Sequence, residues 1–144
     1  ARIHKAFSNT QLSADFDLLL INRRHVRDNN SWMHNSERLI RGRNRCTLLI
    51  HPQDAVQRGI EEGRLVKIRS RVGEVQVVVE LTEKIMHGVV SLPHGYGHNR
   101  TGVQLPIAQA HAGVSVNDLT DELILDELTG NAVFGGVPVQ VNSQ

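Results

Sequence analysis

Arginine, histidine and asparagine crowd into one stretch of this chain. Asn22-Arg23-Arg24-His25 is followed closely by Asn29-Asn30-Ser31-Trp32-Met33-His34-Asn35. Guanidinium groups hold phosphates through paired N–H donors, and a carboxamide presents a donor and an acceptor side by side. The stretch is therefore suited to gripping an anion and reading the edge of a heterocycle. A second stretch, His94-Gly95-Tyr96-Gly97-His98, sets imidazole and phenol groups among glycines, and a third begins at Asn117-Asp118-Leu119-Thr120.

Each of these residues also has a plainer reading. Arg23 and Arg24 suit an ordinary solvated basic loop, Asn30 suits a turn, and Asn117 suits a helix N-cap. Trp32, the only tryptophan, can stack on a ring system, or can pack its loop onto the barrel or onto a neighbouring domain outside this chain, and packing is the expectation. His94 and His98, with His87 or His111, raise the question of zinc. That spacing serves zinc on a helix, and Pro93, Gly95 and Gly97 argue against one here. Hydrogen bonding to a ligand is the better use of these rings. Asp118, Asp121, Glu122, Asp126 and Glu127 read as a solvated acidic face rather than as acid–base catalysts. Cys46 opens an apolar strand and reads as a buried, inert thiol.

Charge narrows the ligand class. The net charge is +1, too small for a nucleic-acid-binding surface. Residues 23–45 nevertheless hold seven arginines against Asp28 and Glu37, a local +5 that leaves −4 for the rest of the chain. A small anionic ligand fits this pattern better than a long polyanion. The single cysteine excludes an intrachain disulfide and a thiolate metal cluster. No apolar run approaches membrane-span length, and no signal peptide is visible. Without Met at the start, Ala1 suggests a piece of a longer protein or a processed one.

The elements that must position these stretches follow from periodicity. At 144 residues, with 40% apolar and only 3% aromatic residues, the chain suits one domain with an aliphatic core. Residues 1–14 lack a period and read as a lead-in or linker, with a barrel domain over 15–144. Residues 16–21 read as a fully buried strand, 36–41 as a short helix with Ser36 as N-cap, and 46–50 as a second buried strand. Residues 51–59 read as a short helix with Pro52 in its first turn and Gly59 after its end. Strands follow at 65–69, 75–81 and 89–92, with a hairpin connection at Val72-Gly73-Glu74. Residues 94–115 read as a long aperiodic loop. A last strand at 137–141 is expected on an edge, because Pro138 lacks a ladder donor. About six strands with two or three short helices favour a mainly β barrel over a doubly wound sheet.

With these elements in order, the chain resembles the C-terminal molybdopterin-dinucleotide-binding domain of molybdenum and tungsten oxidoreductases related to formate dehydrogenase, nitrate reductase and dimethyl sulfoxide reductase. The likeness runs from Asp15 to Val141. It is carried by the strand and polar loop, by His51-Pro52-Gln53-Asp54-Ala55, and by Gly59-Ile60-Glu61-Glu62-Gly63-Arg64-Leu65-Val66. It continues through the turn at Val72-Gly73-Glu74, through His87-Gly88-Val89-Val90-Ser91-Leu92-Pro93-His94-Gly95-Tyr96, and through Asn117-Asp118-Leu119-Thr120. His87 stands where the family usually has proline, and Tyr96 where it has tryptophan.

The resemblance implies a double-psi β-barrel that helps bind molybdopterin guanine dinucleotide carrying molybdenum or tungsten. It implies Asn22, Arg23, Arg24, His34 and Asn35 as first-loop contacts, Gly95, Tyr96 and His98 (with Gly97 beside them) in the second loop, and Asn117 in the third. It places the metal ligand in other domains, so the isolated fragment is expected to be non-catalytic. The implied partners are the remaining domains of its own catalytic polypeptide and the iron–sulfur electron carriers of the parent, with no nucleic acid and no membrane span. The compartment reads as cytoplasmic, with periplasmic left open. Two other functions remain open at this point. One is a free-standing double-psi barrel that binds a nucleotide or peptide; the other is a small metal-dependent enzyme built on the histidine-rich loop.

Overall fold

Alternation of aliphatic and polar residues builds six strands: β1 (Leu18–Arg23), β2 (Thr47–Ile50), β3 (Leu65–Arg69), β4 (Glu74–Leu81), β5 (Val89–Pro93) and β6 (Val137–Ser143). The structure is a computed structural model that describes Leu12 and residues 15–143. The lead-in expected over 1–14 lies outside the described residues, apart from Leu12. The strands close into a barrel in the order β1-β5-β2-β4-β3-β6. β1 runs parallel to β5 and β2 parallel to β4, and the other four pairings are antiparallel. Parallel neighbours cannot be joined by hairpins. Long connections must therefore cross the barrel ends, and two such interleaved parallel pairs make the double-psi barrel.

Inward residues of every strand form one core. Leu18, Leu20, Leu48, Ile50, Val66, Ile68, Val77, Val79, Val90, Leu92, Val139 and Val141 meet there. β1 is correspondingly not buried on both faces. Its burial alternates, and Ile21 is 40% exposed, because a barrel strand has one inner and one outer face. The edge expected for the last strand is also corrected. β6 pairs with β1 over residues 137–139 and with β3 over residues 140–143, so closure removes the edge. Pro138 is accommodated because the ladder to β3 begins only at Gln140.

Three short helices decorate the barrel: α1 (Glu37–Ile40), α2 (Pro52–Gln57) and α3 (Pro106–Ala110), with a 3₁₀ turn at Val116–Leu119. α2 starts as expected with Pro52 in its first turn, and His51 Nδ1 accepts from the Gln53 N–H at 3.2 Å. Ser36 precedes α1 but makes no side-chain cap bond. α3 interrupts the stretch expected to be aperiodic, where Pro106 supplies a pre-set φ for the first turn. Cys46 sits just before β2, buried, and burial pushes its thiol pKa up. Among the described residues no helix is long and apolar enough to cross a membrane.

Candidate functional site

The parallel register of β1 and β5 brings their C-terminal ends to one rim, with Asn22 opposite Leu92 and Arg23 opposite Pro93. β2 runs against β5, so the start of β2 lies at the same rim. The loops leaving β1 and β5, residues 24–35 and 94–105, are therefore neighbours for topological reasons. Gly95 makes their contact possible. Its φ is +98°, and a Cβ there would stand 1.7 Å from the Asn30 carbonyl oxygen. The 3₁₀ turn joins the same assembly. A Cβ on Gly97 would press on Ser115, Arg100 pairs with Asp118, and Gly73 packs against the Asp118 carbonyl.

The first loop is organised from within by buried polar groups. Asp28 is 1% exposed and His34 is fully buried. Asp28 Oδ1 accepts from Arg45 Nη2 at 2.7 Å and Nε at 3.1 Å. His34 lies with Nε2 3.4 Å from the same oxygen, and its Nδ1 is 2.7 Å from His98 Nε2 in the second loop. The Tyr96 ring packs on His34 with centroids 4.3 Å apart. Burial lowers the pKa of both His34 and His98, so both rings are held neutral. Burial also raises the Tyr96 phenol to about 12, with the Asp28 charge adding to the shift.

The expected site residues divide into several roles. Arg23 turns inward. Its guanidinium donates to the carbonyls of Ser91 (2.5 Å), Thr47 (2.7 Å) and Arg45 (3.1 Å), and to Thr47 Oγ1 (3.0 Å). Those bonds tie β1 to β5 and β2 and engage both terminal nitrogens of the guanidinium. Asn35 Oδ1 accepts from the Ile107 and Ala108 N–H groups at 3.1 and 3.3 Å, capping the first turn of α3. His34 and Tyr96 form the buried joint between loops, and Gly95 provides its clearance. Arg24 is exposed and donates to Asn30 Oδ1.

Asn22 Oδ1 is buried at the rim without a hydrogen-bond partner among the described residues. Asn117 is exposed within the 3₁₀ turn rather than capping a helix, and its carbonyl accepts from Thr120. His98 joins the two loops through one ring nitrogen, and its other ring nitrogen makes no hydrogen bond among the described residues.

Trp32 is 81% exposed and does not pack on the barrel, which leaves a neighbouring domain as the packing surface that the expectation allows. The acidic segment is not a uniform solvated face either. Asp121 is 5% exposed and pairs with Arg71, Asp118 pairs with Arg100, and Asp126 caps its own turn by accepting from Leu128 and Thr129 N–H groups. Among the described residues no three His, Cys, Asp or Glu side chains stand together in a way that would hold a metal ion.

Sequence reasoning missed Asp28, Arg45 and Ser91, and it read His94 only as one of several rings suited to bonding a ligand. Asp28 had one visible signal, as the only acid between Arg23 and Ser36. Ser91 Oγ, His94 Nδ1, Asp28 Oδ2 and Asn22 Oδ1 are buried atoms left without partners among the described residues. Buried polar atoms are ordinarily hydrogen-bonded, and these four lie on β1, on β5 or in the loops that leave them.

A family model described as the molydopterin dinucleotide binding domain matches residues 18–138, from the first barrel strand into the last. The chain belongs to the molydopterin dinucleotide-binding family. Its relatives include the molybdopterin-containing subunit of the arsenate respiratory reductase of Chrysiogenes arsenatis, 31% identical over 83% of this chain and 15% of that protein. A tetrathionate reductase polypeptide of Salmonella typhimurium is 31% identical over 64% of this chain and 11% of that protein. Among solved structures, acetylene hydratase from Pelobacter acetylenicus superposes with a TM-score of 0.69 at 20% identity, covering 96% of this chain and 20% of that one. That likeness carries the fold alone. The chain thus spans about a tenth to a sixth of the curated relatives named here.

The rim fits the group that gives the family its name. A pterin edge alternates donors and acceptors, and Asn22, His94 and Ser91 offer buried, uncommitted groups of that kind. Arg24 and the exposed Arg27, Arg38 and Arg41 surround the first loop with charge suited to a diphosphate.

Proposed function

We propose that this chain is the C-terminal cofactor-binding domain of a larger molybdopterin-dependent oxidoreductase, and that its rim binds molybdopterin guanine dinucleotide. The observation that carries the reading is the set of buried, unpartnered polar atoms on Asn22, Asp28, Ser91 and His94, along β1, β5 and the two loops that leave them at one barrel end. The family match and the short share of each relative's length support the placement within a longer enzyme. The bound group supplies the redox chemistry of a pterin-held molybdenum or tungsten. This chain's own residues bind and orient the group.

Asn22 and His94 address the pterin or guanine edge. Arg24 neutralises the diphosphate, and Asn117 contacts the cofactor from the third loop. The remaining domains of the enzyme cover the other side, and iron–sulfur proteins exchange electrons with the parent in the cytoplasm. Arg23 and Asn35 act indirectly, by holding the barrel rim and α3 in place.

The test is the double variant Asn22→Ala, Asn117→Ala in the full parent enzyme, read as molybdenum or tungsten and pterin per polypeptide. Neither side chain hydrogen-bonds within the described residues, so the barrel should fold as before while cofactor content falls. Unchanged metal and pterin content in the folded double variant would overturn the assignment. Acid hydrolysis of the parent enzyme should release a guanine nucleotide, and release of a different nucleobase would overturn the guanine form.

A further inference from the structure

The buried joint between the two loops does more than hold them together. His34 Nδ1 and His98 Nε2 are 2.7 Å apart, so one of the two must carry the proton and the other must accept it. The opposite face of His34 decides which. His34 Nε2 lies 3.4 Å from Asp28 Oδ1, a contact too long or too bent to be a full hydrogen bond but close enough for the carboxylate charge to act on it. A bare Nε2 lone pair facing that carboxylate would be repelled, whereas an Nε2–H is attracted.

Arg45 keeps the carboxylate in place through two bonds to the same oxygen, at 2.7 and 3.1 Å. A neutral His34 protonated on Nε2 has a bare Nδ1, and Nδ1 then accepts from His98 Nε2–H. A neutral His98 protonated on Nε2 has a bare Nδ1 in turn. That last atom makes no hydrogen bond among the described residues, and it is not one of the buried unpartnered atoms.

We propose that Asp28 and His34 are positioning residues that lock the His98 imidazole into its Nε2–H tautomer, so that His98 Nδ1 meets the ligand as a hydrogen-bond acceptor. The site therefore selects at this point for an N–H or O–H donor, such as a ring N–H of a reduced pterin or a guanine amine, and disfavours a carbonyl or phosphate oxygen. The charged and polar groups facing His34 are Asp28, Arg45, Tyr96 and His98. The depressed pKa of both rings supports the neutral states that the chain of tautomers needs. The ligand half of this inference rests on the cofactor-binding reading, whereas the tautomer is a property of the chain alone.

The test is a long-range ¹⁵N–¹H correlation spectrum of the histidine side chains of the 144-residue chain, recorded above the histidine titration range. The expected result is a proton on His98 Nε2, a bare His98 Nδ1, and a ¹⁵N–¹⁵N coupling across the bond to His34 Nδ1. A proton on His34 Nδ1 or on His98 Nδ1 overturns the proposal, and this measurement needs no variant. In Asp28→Asn the lock should loosen, with a share of His98 moving to the Nδ1–H form; an unchanged tautomer there overturns the role of Asp28.

Adding a soluble reduced pterin should shift the His98 Nδ1 resonance as it accepts a bond, with a smaller shift in Asp28→Asn. The expected tautomer with no response to the pterin or to guanosine diphosphate would overturn the cofactor reading at this loop. The wrong tautomer overturns the inference itself, so the two failures are distinct.

Discussion

Replacing Arg23 by methionine separates a residue that holds the rim from one that touches ligand. The guanidinium donates to three carbonyls and one hydroxyl, on β2, on β5 and on Arg45 two residues ahead of β2. Ser91 and Thr47 are 3% and 7% exposed, so water cannot fully replace the lost donor. A hydrogen bond from a charged group contributes about 1.5–3 kcal/mol net. Several such bonds on one side chain do not add, because they share one desolvated ion.

Burial lowers the Arg23 pKa, which shows that holding the charge there has its own cost, and methionine removes that cost along with the bonds. The expected loss is about 3 kcal/mol, of the order of two unshared charged bonds. In urea this moves the unfolding midpoint of the chain down by about 1.5 M for a slope near 2 kcal/mol/M. The melting temperature should fall by roughly 10 °C for a chain of this size.

The control is Arg24→Met, one residue away but exposed, which should change stability by no more than about 0.5 kcal/mol. Circular dichroism of the two variants in urea, side by side, is sufficient. Equal midpoints for Arg23→Met and the parent would refute the reasoning, because they would show the guanidinium to be free for a ligand.

Other outcomes follow from the same network. Gly95→Ala should destabilise by about 2–4 kcal/mol, through a left-handed φ and a clash with the Asn30 carbonyl that neither loop can relieve; thermal melts check it. His34, His94 and His98 all have pKa values lowered below the usual 6.5, chiefly by burial. The unfolded chain binds protons first as pH falls, so stability should be full above 6.5 and decline below it, read from urea midpoints across that range. Tyr96 shows the opposite sign at the other end of the scale. Its phenol is raised to about 12, so its contribution is complete below the usual value of 10 and is lost as pH rises from there. Ultraviolet titration should find the phenolate only near the upper end. Trp32 should emit at the long-wavelength edge typical of an indole in water, and an emission shifted to shorter wavelength would contradict its exposure.

The pattern of residues along the chain was enough to read the barrel and its loops. Strands at 65–69, 75–81 and 89–92 are visible because a barrel strand alternates between core and solvent, and that alternation is written in local order. Pro52 and Gly59 bracket α2 by their own backbone preferences. The three polar stretches stand out by composition, and their gathering at one end followed from the family resemblance.

What local order does not contain is direction. Arg23 and Arg24 are adjacent and chemically identical, yet one is held against the carbonyls of β2 and β5 and the other faces solvent. Asn35 and Asn22 carry the same amide, but one meets the start of α3 while the Oδ1 of the other finds no partner among the described residues. His34 lies in a polar stretch and is nevertheless fully buried, because Asp28, Arg45 and a loop from more than sixty residues away supply its polar contacts. Whether a polar side chain binds a ligand or braces the fold depends on which partners reach it first. Those partners come from strand pairings distant in sequence, which only closure of the barrel brings together.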